Sequence, residues 1–163
     1  MGIQPRVWRR AGIIIGAILL VVIFNAPGSL VLAEGSSTPG VKWYSYQEGR
    51  ALGKQEHKKV FLSFFADWCT YCHKMEKESF RDPAVVDYLN RHFISIRANS
   101  DKETDLASDF FVRGLPTTWF LTAAGEKIAG QPGYIPPQQL LQLLKFIQSD
   151  SYKDMSLKEF LKQ

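Results

Sequence analysis

The chain has 163 residues, of which 20 are basic and 16 acidic, and 13% of its residues are aromatic. This length is enough for one domain with a hydrophobic core, and two cysteines are too few for a disulfide-stapled framework. Three of the basic residues lie within the first ten positions, so the rest of the chain is close to neutral. No Lys/Arg cluster would follow a phosphate backbone, and we therefore expect no nucleic-acid partner.

The first 33 residues have the pattern of a secretory signal peptide. Arg6, Arg9 and Arg10 precede an apolar run over residues 11–24, and Val31-Leu32-Ala33 offers small residues at the two positions that a signal peptidase reads before cleavage after Ala33. A basic start, a short apolar core and a small-residue exit are typical of cleaved export signals. The alternative is an uncleaved anchor, because residues 11–33 are long enough to cross a bilayer. Either interpretation places the domain outside the cytoplasm, which in a bacterium is the periplasm.

Residues 34–40 are rich in glycine, serine, threonine and proline and predict a flexible lead-in. We place the main domain over residues 41–149 and a tail helix over 150–163. A short strand is predicted over 41–44, followed by a helix to Glu56 with Ser45 and Glu48 as a capping box. Residues 60–65 include apolar residues on both faces of a strand, which predicts burial in the middle of a sheet.

The later elements follow from helical spacing, caps and turn residues. They are, in order, helices over 69–80 and 82–92, a strand over 93–97, a helix over 101–111 with Leu106, Phe110 and Phe111 inward, and a hairpin over 119–121 and 126–129. A final core helix begins at Pro136-Pro137, and a tail helix begins at the capping box of Ser156, with Leu157, Phe160 and Leu161 on one face. This order predicts an α/β fold with a mixed sheet and helices on both faces.

The two cysteines of the chain, Cys69 and Cys72, lie between the buried strand and the start of a helix. At this spacing they lie on the same face and can form a disulfide. The helix N-terminus favours the thiolate of Cys69 through its free N–H groups and dipole. We expect Cys69 to be exposed and to attack a partner disulfide, and Cys72 to resolve the mixed disulfide.

Three other interpretations of the cysteine pair remain open at this stage. A purely structural disulfide would close a very short loop and stabilise the fold little. The run Cys69-Thr70-Tyr71-Cys72-His73 also fits the attachment motif of c-type haem, with His73 as the iron ligand. A zinc site with His57, His73 or His92 lacks a second closely spaced ligand pair. The placement after a buried strand favours the redox dithiol, so no cofactor and no metal are expected.

The segments A-D-W-C-T-Y-C-H-K-M-E, S-F-R-D-P-A-V and G-L-P-T-T resemble the thioredoxin superfamily. Within it, the chain is most similar to the C-terminal periplasmic domain of the disulfide reductase DsbD and to related secreted thioredoxin-like proteins. The resemblance implies a thioredoxin fold with a cis Pro116 beside the dithiol. It also implies a partner surface that includes Trp68, the backbone of Leu115, and Thr117.

The chain departs from the family pattern below the dithiol. Ser63 stands where the family usually has a buried aspartate that helps the resolving cysteine to lose its proton. Glu76 matches an acid near the active site of the DsbD domain and follows Cys72 by one helical turn, so we expect it to take this role. The dipeptide between the cysteines leaves the redox potential open.

These observations predict a secreted thiol–disulfide oxidoreductase that reduces protein disulfides, with a dithiol oxidase as the alternative. The expected partners are proteins with disulfides, and the resemblance implies a membrane DsbD-type electron donor. Contact with the membrane is expected only if the N-terminal segment stays uncleaved. From other classes, a haem-c electron carrier and a binding module that uses Trp68 and Leu115 remain alternatives.

Overall fold

The computed structural model describes residues 40–163. The predicted signal peptide and nearly all of the predicted lead-in lie outside the described residues. Across residues 40–163, none of the helices has the length and apolar character that crossing a membrane requires.

Five strands and six α-helices make up the described chain. In order they are β1 (Trp43–Tyr44), α1 (Tyr46–Glu56), β2 (Lys59–Phe65), α2 (Thr70–Lys77), α3 (Pro83–His92), β3 (Phe93–Asn99), α4 (Thr104–Asp109), β4 (Thr117–Leu121), β5 (Lys127–Pro132), α5 (Pro137–Gln148) and α6 (Leu157–Phe160). A 3-10 turn over Ser151–Lys153 separates α5 from α6. The predicted caps are confirmed at Ser45, Asp82 and Ser156.

The strands form one mixed sheet in the order β1-β3-β2-β4-β5. β3 pairs in parallel with β1 and β2, whereas β4 is antiparallel to both β2 and β5. β2 is therefore the central strand, and five of its seven residues are buried. The predicted α/β fold and mixed sheet are confirmed, and the arrangement is the thioredoxin fold.

The two faces of the sheet carry separate hydrophobic clusters. Phe61 of β2 packs with residues of α2, α3 and α5, including Met75, Leu89 and Leu144. Val60, Leu62 and Phe64 face the other side, where α1 and α4 cover them. Each buried side chain of this size stabilises the fold by about 1.5–3 kcal/mol. Helices on both faces of the sheet explain why β2 carries buried apolar side chains on both of its faces.

Two parts of the sequence prediction are wrong near the helix ends. The helix expected over 101–111 is shorter, because the Asn99 side chain accepts a hydrogen bond from the Asp101 amide and holds the preceding residues in a turn. Phe111 is not inward: it is 72% exposed and has a positive φ of 52°, which ends the helix. In the tail, Leu161 is 46% exposed and so does not share the packing face with Phe160.

Helix α1 contains two buried glycines, Gly49 and Gly53, and close packing against the sheet accounts for the glycine at position 49. The Cα of Gly49 lies against β3, and an added Cβ would come within 2.3 Å of Cγ1 of the buried Ile96. We expect Gly49→Ala to lower the free energy of unfolding by about 1 kcal/mol, since overpacking typically costs about 1–3 kcal/mol and the gain in helix propensity is about 1 kcal/mol. Denaturant unfolding measures this change.

Gly40→Ala is the matched control for this prediction, because nothing lies within 4 Å of a Cβ at that position. An unchanged or higher midpoint for Gly49→Ala would show that α1 can move away from β3.

Candidate active site

The cysteine pair lies at the point where β2 ends and α2 begins. Cys69 is the N-cap residue of α2, and its amide donates to the carbonyl of Ala66 at 3.1 Å. Its Sγ accepts a hydrogen bond from the amide of Cys72 at 3.1 Å. The two residues form a disulfide, with their Cα atoms 5.2 Å apart. The sulfur of Cys69 therefore lies in the positive field of the helix N-terminus, as the sequence predicted.

Both cysteines are buried, and the expected exposure of Cys69 is wrong. Each has 4% of its surface exposed, because Ala66, Phe65 and Leu115 pack around the disulfide. Exposure therefore does not distinguish the two sulfurs. The two cysteines differ in their position on α2. Only Cys69 precedes the first helical residue, and its sulfur accepts a hydrogen bond from an amide at the helix N-terminus.

The loop before β4 covers the dithiol from the side. Leu115 packs on the cysteines, and the Leu115–Pro116 peptide bond is cis. Pro116 and Thr117 are buried, and the Thr117 hydroxyl donates to the carbonyl of Gly114 at 2.7 Å. The structure thus brings together the dithiol and the three loop residues that the family resemblance assigns to the site.

Two aromatic side chains project into solvent around the dithiol. Trp68 is 71% exposed and Tyr71 is 60% exposed. The indole Nε1 of Trp68 donates to Asp101 at 2.9 Å, which fixes the ring although it is largely in solvent. The sequence analysis missed Asp101, because it lies 33 residues away in the turn that follows β3.

His73 contacts the loop that precedes the cysteines. Its Nε2 lies 2.8 Å from the backbone carbonyl of Asp67, a hydrogen bond when Nε2 carries the proton. This contact links the first turn of α2 to the end of β2. Asp67 itself is exposed, as expected. Within residues 40–163, no group of three His, Cys, Asp or Glu side chains is arranged to hold a metal ion.

A charged pair lies beneath α2, next to the position of Ser63. Oε2 of Glu76 is 2.6 Å from Nη1 of Arg97 on β3, and Arg97 is the direct parallel neighbour of the buried Ser63. The contact is an ion pair without a well-aligned hydrogen bond, since this oxygen has no hydrogen-bond partner among the described residues. The guanidinium also lies 4.2 Å from the ring centre of Phe65, which packs on the cysteines.

Arg97 is the main residue of this region that the sequence analysis did not find. It is one arginine in a predicted strand, and only the strand register shows that it lies beside Ser63. The structure gives Glu76 an ion-pair partner on β3, whereas residue spacing shows only that Glu76 follows Cys72 by one helical turn.

The far end of α2 is tied to the loop between β5 and α5. The hydroxyl of Tyr134 donates to the carboxylate of Glu78, and the buried Ser79 hydroxyl donates to the carbonyl of Ile135 at 2.6 Å. The ammonium of Lys74 lies 4.5 Å from the Tyr134 ring centre. The hydrogen bond to Glu78 raises the pKa of Tyr134 above its ordinary value, with burial as a second cause.

Comparison with known proteins gives the same class of fold. A family model described as a thioredoxin-like domain matches residues 46–148. The DsbD thiol:disulfide interchange protein of Photorhabdus laumondii is 38% identical over 80 residues, which are 47% of this chain and 14% of that protein. The chain therefore spans only a small part of the length of this curated relative.

Solved structures agree with the family match. A thioredoxin from Thermus thermophilus is 28% identical, with a TM-score of 0.61 over 66% of this chain and 86% of that chain. A disulphide isomerase from Xylella fastidiosa Temecula1 has a TM-score of 0.55 over 62% of this chain and 86% of that chain; at 23% identity it supports the fold alone.

The chain belongs to the family of thioredoxin-like domains. Its close Cys69–Cys72 pair at the N-terminus of α2 makes it a thioredoxin-like disulfide oxidoreductase.

The Tyr134–Glu78 hydrogen bond predicts a pH-dependent contribution to stability. The neutral phenol is the donor, so the folded-state pKa of Tyr134 is raised above the unfolded value of about 10. The contribution is fully present below about pH 10 and is lost as the pH rises through the raised pKa. We expect Tyr134→Phe to lower the free energy of unfolding at pH 8 by about 0.5 kcal/mol, the low end for a hydrogen bond, since the pair is accessible to solvent.

Denaturant unfolding of both proteins between pH 8 and pH 11 measures this difference, which should shrink at the alkaline end. Tyr71→Phe is the control, because the Tyr71 side chain projects into solvent. A difference that stays constant up to pH 11 would contradict the assignment to this hydrogen bond.

Proposed function

We propose that this protein reduces disulfides of other proteins outside the cytoplasm. The observation that carries the proposal is the Sγ of Cys69 at the N-cap of α2, where it accepts the amide of Cys72 at 3.1 Å. In the reduced protein the same amide and the helix dipole would stabilise a thiolate at this sulfur. A thiolate that can be resolved by a neighbouring thiol is what disulfide exchange needs.

The reaction consists of two exchanges in which sulfur–sulfur bonds form and break in pairs. The Cys69 thiolate attacks one sulfur of the partner disulfide, forms a mixed disulfide and releases the other partner sulfur as a thiolate. Cys72 then loses its proton and attacks Sγ of Cys69, which releases the second partner sulfur. The partner gains two electrons and this protein gains the disulfide between Cys69 and Cys72. A second dithiol must then reduce that disulfide to restore the starting state.

The surface around the dithiol fits a protein partner. Trp68 and Tyr71 offer exposed aromatic area beside the cysteines, and Leu115 packs against the cysteines. Aromatic side chains are enriched in protein interfaces because they bury a large area with few rotatable bonds. We assign partner contacts to Trp68, Leu115 and Thr117, with the cis Pro116 holding the loop.

Proton removal from Cys72 is assigned to Glu76. It lies one turn after Cys72 on α2, and the position of the buried aspartate of the family holds the non-ionisable Ser63. Arg97 is a permanent cation at 2.6 Å from Glu76 and keeps this carboxylate in place between helix and sheet. The Glu76–Arg97 pair provides a proton acceptor and its counter-charge, while the buried position of Ser63 holds no carboxylate.

The resemblance to the DsbD domain supports a periplasmic location and electron supply from a membrane DsbD-type protein. The sequence pattern of residues 1–33 supports export. A dithiol oxidase is the alternative within the class and uses the same exchanges in reverse. The fold and the disulfide favour a reductase or an oxidase over haem attachment. Haem attachment would need the sulfurs of Cys69 and Cys72 for bonds to haem and His73 as an iron ligand. Here the two sulfurs are bonded to each other, and His73 contacts the Asp67 carbonyl.

The two cysteine variants test the order of the exchanges. We expect Cys69→Ser to reduce the rate of disulfide reduction to that without protein, because no thiolate remains at the helix N-terminus. We expect Cys72→Ala to accumulate a mixed disulfide between Cys69 and the substrate, since the resolving sulfur is missing. Non-reducing electrophoresis and mass spectrometry detect this species. The double variant is the control. If Cys69→Ser formed a mixed disulfide through Cys72 as fast as Cys72→Ala forms one through Cys69, this would contradict the assignment of Cys69 as the attacking thiol.

Glu76→Gln tests the proposed proton acceptor. We expect the resolution step to slow by about 100-fold at pH 7, the low end for a lost general base, and to recover as the pH is raised. Stopped-flow measurement of mixed-disulfide decay between pH 6 and pH 9 separates this step from the first attack. Glu78→Gln is the matched control on the same helix, because Glu78 contacts Tyr134 rather than Arg97. Equal pH profiles for the two variants would exclude Glu76 as the acceptor.

A further inference from the structure

A groove lies on the far side of the loop that covers the dithiol. Its volume is about 290 Å³, and its lining includes Phe111, Arg113, Gly114, Thr117, Trp119 and Pro132. We refer to it as the Phe111 groove. Its floor is formed where Trp119 of β4 pairs with Gly130 of β5. A Cβ at Gly130 would come within 2.7 Å of the Trp119 ring, so a side chain there would collide with the floor.

The groove is joined to the dithiol by the loop itself. Leu115 packs on the cysteines, while Gly114 and Thr117, on either side of Leu115–Pro116, line the groove. A partner segment that lies across Leu115 with its disulfide at Cys69 would therefore continue into the Phe111 groove.

Phe111 gives the groove an apolar wall that the fold does not need. Its neighbour Phe110 is buried at 4% exposure, whereas Phe111 is 72% exposed. Phe111 also has a positive φ of 52°, a conformation that bulky residues rarely adopt and that is found preferentially at functional sites. Asparagine or glycine would satisfy this backbone with less strain, so packing and backbone geometry do not account for a phenylalanine here.

The charges around the groove are mainly positive. Arg113 is exposed and takes part in none of the ion pairs found among residues 40–163. Lys127 places its ammonium 5.3 Å from the Phe111 ring centre and donates to the backbone carbonyl of Asp109. Asp109 is the last residue of α4, the helix that ends beside the groove. An apolar wall beside the exposed Arg113 is complementary to an apolar side chain next to a carboxylate.

We infer that the Phe111 groove binds the partner segment beside its disulfide and selects an apolar residue followed by an acidic one. The apolar side chain lies against Phe111 and Trp119, and the acidic side chain pairs with Arg113. This inference rests on the proposed function, because the groove acts on substrates of the same dithiol.

Four cysteine peptides test the preference, each oxidised as a mixed disulfide with 2-mercaptoethanol. They carry Phe-Asp or Phe-Lys, either before or after the cysteine. The second-order rate constant for their reduction by the reduced protein is measured by stopped flow, with bis(2-hydroxyethyl) disulfide as a substrate too small to reach the groove. We expect Phe-Asp to react at least about tenfold faster than Phe-Lys in one of the two placements.

Three variants assign the preference to the groove. Arg113→Glu should remove or reverse the preference, and Phe111→Asn, which suits the left-handed backbone, should slow both peptides of that placement. Lys145→Glu, an exposed cation on α5, is the control and should leave the ratio unchanged. The small disulfide should react equally with all four proteins.

Equal rates for Phe-Asp and Phe-Lys in both placements would overturn the inference while leaving the proposed function intact, provided the small disulfide is reduced. A preference that persists in Arg113→Glu would also overturn it. If no disulfide is reduced, including the small one, the proposed function fails and the inference with it.

Discussion

The structure depends on the burial of β2 between two layers of helices. Five of its seven residues are buried, and its two faces supply both hydrophobic clusters. A strand held on both faces cannot slide in register without moving apolar side chains into solvent. Its carboxyl end is therefore a fixed point, and the chain leaves it through Ala66, whose carbonyl accepts the amide of Cys69. The position of the first cysteine at the N-terminus of α2 follows from this anchoring.

The cysteines pack among apolar side chains, and the polar groups on the α2 side of the sheet lie next to Phe65, which packs on the cysteines. Ser63 lies on β2 between Arg97 and Thr118 of the neighbouring strands, so the three side chains form a row across the sheet. Arg97 extends this row to Glu76 on α2 and stacks on Phe65, which touches the cysteines. A core serine avoids the cost of burying a charge, and the ionised pair lies at the partly exposed edge instead.

One loop serves both surfaces that we assign to partners. Leu115 faces the cysteines, and the residues on either side of the Leu115–Pro116 bond line the Phe111 groove. The bonds that the dithiol exchanges involve only sulfur atoms, so the exchange itself does not distinguish one disulfide-bearing partner from another. Selection among disulfide-bearing partners must then come from contacts beside the dithiol. The exposed side chains of Phe111 and Arg113 line this groove and are positioned for such contacts.

The sequence by itself determined the features that depend on neighbouring residues. The buried strand, the caps at Ser45, Asp82 and Ser156, the final core helix and the Cys69–Cys72 pair at a helix start all follow from local spacing. Only the tertiary structure decided the contacts between distant segments. These are the Arg97 partner of Glu76, the Asp101 partner of Trp68, the burial of Cys69 under Leu115, and the exposure of Phe111. The reason is physical: a local pattern fixes which face a residue occupies, whereas strand order and register fix what lies opposite that face.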